Sequence, residues 1–141
     1  MSRKAPKTKW GIDVPRTEKG MQFIAISKNL YDCDAYKSLP SGAKILLHEL
    51  MRLCYPNNNG RVGMSHQRAA EFAGVTKKTA GSYLNLLAER GFIVISRYEM
   101  WKQRMSREYR VTACSCNGKA PTEDYLDWEE GQNLFGKNRW G

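Results

Sequence analysis

Lys77 and Lys78 directly follow Thr76 in the stretch GVTKKTAGSYLNLLAERGF (74–92), and short polar side chains come after them at Thr79, Ser82 and Asn85. Two ammonium groups beside hydroxyls and an amide are chemistry for anions and for hydrogen-bonding edges. Serine and threonine hydroxyls suit phosphates or several bases, and asparagine can pair bidentately with adenine. A second set of cations follows in RYEMWKQRMSR (97–107), which carries Arg97, Lys102, Arg104 and Arg107 around the apolar Met100, Trp101 and Met105. Long cationic side chains of this kind grip phosphates or enter a minor groove. Trp101 could wedge against sugars, but packing back on the core is the expected use of its large apolar area.

Other chemistries find less support. SGAK (41–44) matches the S-x-x-K nucleophile pattern, but its companion S-D-N and K-T-G elements are absent. There is no phosphate-binding G-x-x-x-x-G-K-[ST] loop and no H-E-x-x-H pair. No catalysis and no small-molecule substrate are therefore expected. The candidate metal ligands are Cys33, Cys54, Cys114, Cys116, His48 and His66. Zinc sites show paired C-x₂₋₄-C elements or C-x-x-C with H-x₃₋₅-H, and neither spacing occurs. No metal and no cofactor are expected, and His48 reads as an exposed polar residue.

The net charge of +9 is unevenly spread: ten of the 23 Lys and Arg fall between residues 61 and 112, against four acids. A concentrated basic segment points to a polyanion, most often nucleic acid. No apolar run approaches the roughly 20 residues that span a bilayer, and no apolar stretch follows the basic start MSRKAPKTKW as in a secretory signal. The expectation is a cytoplasmic, nucleoid-associated protein without a membrane partner.

These residues need elements to hold them. Residues 1–20 read as a flexible basic arm, MQFIAIS (21–27) as a short strand and NLYDCDAYKSL (29–39) as a short helix. A longer helix follows, capped by Ser41 with Leu39 as a hydrophobic staple, and Ala43, Leu46, Leu47, Leu50, Met51 and Cys54 share its apolar face. Arg61 to Met64 could form a tiny strand. Ser65 caps the next helix, with Ala69, Phe72 and Ala73 as its apolar stripe, and Gly74 supplies a left-handed end. Thr76 caps a helix over 77–90, whose Ala80, Tyr83, Leu84 and Leu87 should pack against Leu46, Leu50 and Phe72. Its lysines oppose the positive helix terminus, and Gly81 lowers its helix propensity. FIVIS (92–96) and EYRVTA (108–113) then read as two strands joined by the basic tip. In the second of these, Tyr109, Val111 and Ala113 alternate with Glu108, Arg110 and Thr112. The domain is expected over 21–113. Residues 114–141 form an extension with a short helix, and its stretch Tyr125 to Trp140 offers apolar surface for a homodimer.

Two helices joined by three residues that include Gly74, with Val75 inside the turn, are a helix-turn-helix pattern. With the hairpin after it, the order is that of a winged helix, mainly α with a small β-hairpin. Residues from about 40 to 112 resemble bacterial winged helix-turn-helix domains, most closely over SHQRAAEFAGVTKKTAGSYLNLLAERGFI. The longer frame, from FIAIS to CNGKAPTEDYLDW, is similar to small helix-turn-helix proteins of phages, plasmids and other mobile elements. Gly81 and Leu86 stand where such families commonly carry polar residues.

The resemblance implies double-stranded DNA as partner, with helix 77–90 in the major groove and hairpin 97–107 on the backbone. The DNA-binding set would be Ser65, Thr76, Lys77, Lys78, Thr79, Gly81, Ser82, Asn85, Arg97, Lys102, Arg104 and Arg107. In a complex, the lysines would neutralise phosphates and Gly81 would allow close approach to the DNA. The implied role is a transcription regulator acting as a homodimer, or alternatively a replication initiator of a plasmid or phage. A protein-interaction module is the alternative of another class.

Overall fold

The computed structural model describes residues 22–136. The arm expected over 1–20 lies outside these residues, as does the end of the tail, and the Trp101 side chain is likewise not described. Five helices and a three-stranded antiparallel sheet make the described part mixed α/β. The helices are α1 (Lys28–Asp32), α2 (Asp34–Lys37), α3 (Ser41–Leu53), α4 (His66–Ala73) and α5 (Lys77–Glu89), and the strands are β1 (Val62–Gly63), β2 (Ile93–Arg97) and β3 (Glu108–Val111). Their order and sheet are compatible with the winged-helix expectation. Among the described residues, no helix is long and apolar enough to cross a membrane.

The apolar face of α3 is at the centre of the core. Ala43, Leu46, Leu47 and Leu50 are fully buried there with Ala80, Leu84 and Leu87 of α5 and Ala69 of α4. Tyr83 of α5 lies against Gly42, where a Cβ would stand 2.5 Å from the ring. This helix starts differently from the expectation. Pro40, with its extended backbone, is the cap, and its carbonyl accepts from the Lys44 N–H at 3.1 Å. Ser41 makes no capping bond because it is already the first helical residue.

Four further expectations are corrected. Residues 22–27 form no strand. Strand propensity is expressed only against a partner edge, and Phe23 and Ile24 instead line a cavity of about 530 Å³ with Met51 and Cys54. The helix expected over 29–39 is two short ones, because Cys33 takes an extended backbone and caps α2 by accepting from the Tyr36 N–H at 3.4 Å. Phe72 is 48% exposed, and the inner face of α4 is made by Ala69 and Ala70 instead. His48 is half-buried and hydrogen-bonded to the Tyr36 hydroxyl at 3.0 Å.

β3 is the middle strand, paired with β1 on one side and β2 on the other. Arg110 of β3 and Thr112 just beyond it, which alternate with the apolar residues of this stretch, are themselves buried. Residues 112–128 fold back over them. The Glu123 N–H donates to the Thr112 carbonyl at 3.0 Å, and Arg110 Nη1 donates to Thr122 Oγ1 at 2.8 Å. A 3₁₀ turn at Asp124–Asp127 then brings Tyr125 onto Phe92, with ring centroids 4.9 Å apart. Tyr125 and Trp128 join the same core as α3 and α5 and supply no exposed surface for a dimer, whereas Leu126 and Phe135 of the same stretch are exposed.

Candidate nucleic-acid interface

The turn between α4 and α5 is fixed by local chemistry. Ser65 Oγ accepts from the Arg68 N–H at 3.1 Å and starts α4. Gly74 ends it with φ +70°, a left-handed conformation that favours glycine, and the Val75 N–H closes onto the Ala70 carbonyl at 3.0 Å. Val75 packs against the core. Thr76 Oγ1 then accepts from the Thr79 N–H at 3.2 Å and donates to Thr79 Oγ1 at 3.0 Å, starting α5.

Lys77 and Lys78 are exposed on the first turn of α5, which carries no acid. Lys78, Ser82 and Asn85 follow at i, i+4 and i+7 and form one exposed stripe. Ser82 Oγ donates to the Lys78 carbonyl at 3.0 Å, which leaves its lone pairs outward. Thr79 is half-buried beside them.

Gly81 was expected on this open face and is not there. It is buried against α4, and a Cβ on it would stand 3.0 Å from Cε1 and 3.1 Å from Nδ1 of the His66 ring. The missing side chain therefore admits His66 between the two helices rather than DNA. Leu86, read from the sequence as lying on a polar face, is partly buried against the core.

The hairpin holds its four cations in two ways. A residue is inserted at Ser96, between the pairs Ile95 with Tyr109 and Arg97 with Glu108, and Ser96 Oγ donates to the Gly60 carbonyl. Beyond it, Met100 bridges Met105, and Arg104 takes a left-handed backbone at the tip with φ +54°. Lys102 and Arg104 are exposed. Arg97 pairs with Glu108 at 3.3 Å and donates to the Ser106 carbonyl at 2.9 Å.

Arg107 is the most enclosed of these four, with its side chain 16% exposed. Its Nε pairs with Glu99 Oε2, its Nη2 donates to Glu99 Oε1 at 3.4 Å, and its Nη1 donates to Asn85 Oδ1 at 3.4 Å. Its guanidinium also lies 5.2 Å from the Tyr98 ring centroid. The Arg107 guanidinium holds the Glu99 carboxyl below its usual range, while burial pushes the nearby Tyr109 hydroxyl up to about 12. Among the described residues, no carboxylate pairs with Lys77, Lys78, Lys102 or Arg104.

Tyr98, Glu99 and His66 are contributors that sequence reasoning missed. The opposite charges of Glu99 and Arg107 are a signal, but they face each other only once the hairpin register is known. The cysteines have structural partners. Cys116 Sγ donates to the Asn59 carbonyl at 3.1 Å, and Cys54 Sγ donates to the Tyr55 carbonyl at 3.9 Å. Among the described residues, no group of three or more His, Cys, Asp or Glu is placed to hold a metal ion. Ser41 of the S-x-x-K pattern is exposed, and its Lys44 lies 5.0 Å from the Tyr36 ring centroid.

Compared with protein-family models, curated proteins and solved structures, the chain shows no significant match.

Proposed function

We propose that this chain is a winged helix-turn-helix protein that binds double-stranded DNA. The helix α5 enters the major groove, and the tip of the hairpin lies on the adjacent backbone. The observation that carries this reading is the Asn85–Arg107 hydrogen bond. It ties the exposed stripe of α5 to the base of the hairpin, so that a single polyanion can meet both. Lys77 and Lys78 are exposed on the same helix, and Lys102 and Arg104 on the same hairpin. Backbone N–H groups at the start of α5 add to the same anion site.

The test is binding of the purified protein to a labelled duplex, followed by fluorescence anisotropy and with random-sequence duplex as competitor. Saturable binding that is lost when Lys77 and Lys78 are both changed to Gln, in a protein that stays folded, is the expected result. Retained binding in that variant would overturn the reading.

Transcription regulation is the role we propose within this class. Bound sites at promoters support it, and iterated repeats at one replication origin would favour an initiator instead. One recognition helix covers only a few base pairs, so the DNA-bound form is proposed to be a homodimer on a two-fold site. A footprint with two halves about one helical turn apart is expected. An asymmetric footprint with one protein per duplex, measured by light scattering, would contradict the dimer.

A further inference from the structure

We infer that Arg107 acts as a positioning residue for Asn85, turning its amide so that the recognition helix prefers guanine to adenine at one position of the site. The inference rests on the proposed placement of α5 in the major groove. Its physical basis is the chemistry of the two groups. A guanidinium has only N–H donors, so the amide atom facing it must be the oxygen. Asn85 Oδ1 faces Arg107 Nη1 at 3.4 Å, which leaves the Asn85 NH₂ directed away from the hairpin. The bidentate pairing of asparagine with adenine needs that oxygen to accept from the adenine amino group. With its oxygen turned to Arg107, Asn85 leads with its NH₂ donors, and the second lone pair of that oxygen is the one acceptor its side chain retains. Guanine presents two acceptors, N7 and O6, on its major-groove edge.

Arg107 is suited to hold this orientation and poorly suited to grip a phosphate. Each of its three guanidinium nitrogens already donates to a neighbour, two to Glu99 and one to Asn85. The Tyr98 ring lies against the guanidinium as well. A phosphate would have to displace Glu99 from a pair that is three-quarters enclosed on both sides. The exposed Lys102 and Arg104 meet no such obstacle.

The experiment is selection from randomised duplexes followed by salt titration, on the unaltered protein and on two variants. The unaltered protein is expected to select guanine at one position of each half-site. Arg107→Leu frees the oxygen, and the preference at that position alone should move toward adenine by about tenfold. Its salt slope should stay unchanged. Asn85→Asp keeps the oxygen partner for Arg107 but presents only acceptors, so it should move the same position toward cytosine. This second variant lies on an exposed stripe and does not depend on Arg107→Leu folding. If Arg107→Leu weakens all duplexes equally and flattens the salt slope by about 0.9, Arg107 grips a phosphate and the inference fails. Unchanged preference in both variants also overturns it. So does unaltered protein that binds duplexes without base preference, a result that leaves the DNA-binding reading standing. If the unaltered protein binds no duplex, the reading itself falls and takes the inference with it.

Discussion

At the scale of single residues, Gly81 and His48 show how a position can be occupied for a reason its sequence context hides. Glycine in a helix interior costs about 1 kcal/mol relative to alanine. At Gly81 that cost is offset by contact with the His66 ring, which a Cβ would meet at 3.0 Å. Gly81→Ala should therefore change stability little, because the gain in propensity and the crowding of a rotatable ring oppose each other. Gly81→Leu should destabilise by about 1–3 kcal/mol, the usual cost of overpacking. Equilibrium denaturation of the two variants checks this, and a fully stable Gly81→Leu would return the residue to the open face. His48 carries a pH dependence. Burial and the nearby Lys44 lower its pKa from the usual 6.5, and the Tyr36 hydroxyl is its hydrogen-bond partner at 3.0 Å. The folded state then binds the proton less readily than the unfolded chain. Its contribution is fully present above pH 6.5 and is lost as pH falls through the lower folded value. Stability should decline on acidification below neutrality, and His48→Gln, which keeps an acceptor for Tyr36, should flatten that decline in denaturation midpoints measured from pH 7.5 to 5.

At the scale of elements, the turn after α3 is as much a structural part as the helices. Asn59 is 3% exposed and pins this turn to β3. Its Oδ1 accepts from the Val111 N–H at 2.7 Å, and its Nδ2 is shared by the carbonyls of Val111, Cys114 and Ser115 at 2.9–3.1 Å. Asn59→Ala strands several buried backbone groups and should cost about 3 kcal/mol, read from the denaturant midpoint. In sequence this residue is one of three asparagines before a glycine and reads as an ordinary turn. The elements around it were legible where local rules decide: Ser65 and Thr76 as caps, Gly74 as the left-handed end, and the apolar face of α3. They were not legible where distant segments decide. The burial of Arg110 and Thr112 depends on chain that returns from residues 122–128. The pairing of Glu99 with Arg107 depends on the residue inserted at Ser96, which shifts the hairpin register by one. Periodicity carries no information about either. The candidate site was read on the same terms: Lys77, Lys78, Ser82 and Asn85 follow helical spacing to one face, whereas the engagement of Arg97 and Arg107 within the protein is a tertiary fact.

At the scale of the whole molecule, the proposed interface joins one helix face and one hairpin tip as a surface for duplex DNA. The charge available to that surface is smaller than the hairpin composition alone implies. Arg97 is held by Glu108 and Arg107 by Glu99, so the cations proposed to neutralise phosphates are the exposed Lys77, Lys78, Lys102 and Arg104. Each neutralised phosphate contributes roughly −0.9 to the slope of log affinity against log salt. The most direct test is the salt titration of duplex binding by the unaltered protein, beside Arg104→Ala and Arg97→Ala. The predicted slope is about −3 to −4 per protomer, flattened by about 0.9 in Arg104→Ala and unchanged in Arg97→Ala. A slope near zero, or one that responds to Arg97 and not to Arg104, would contradict the proposed interface.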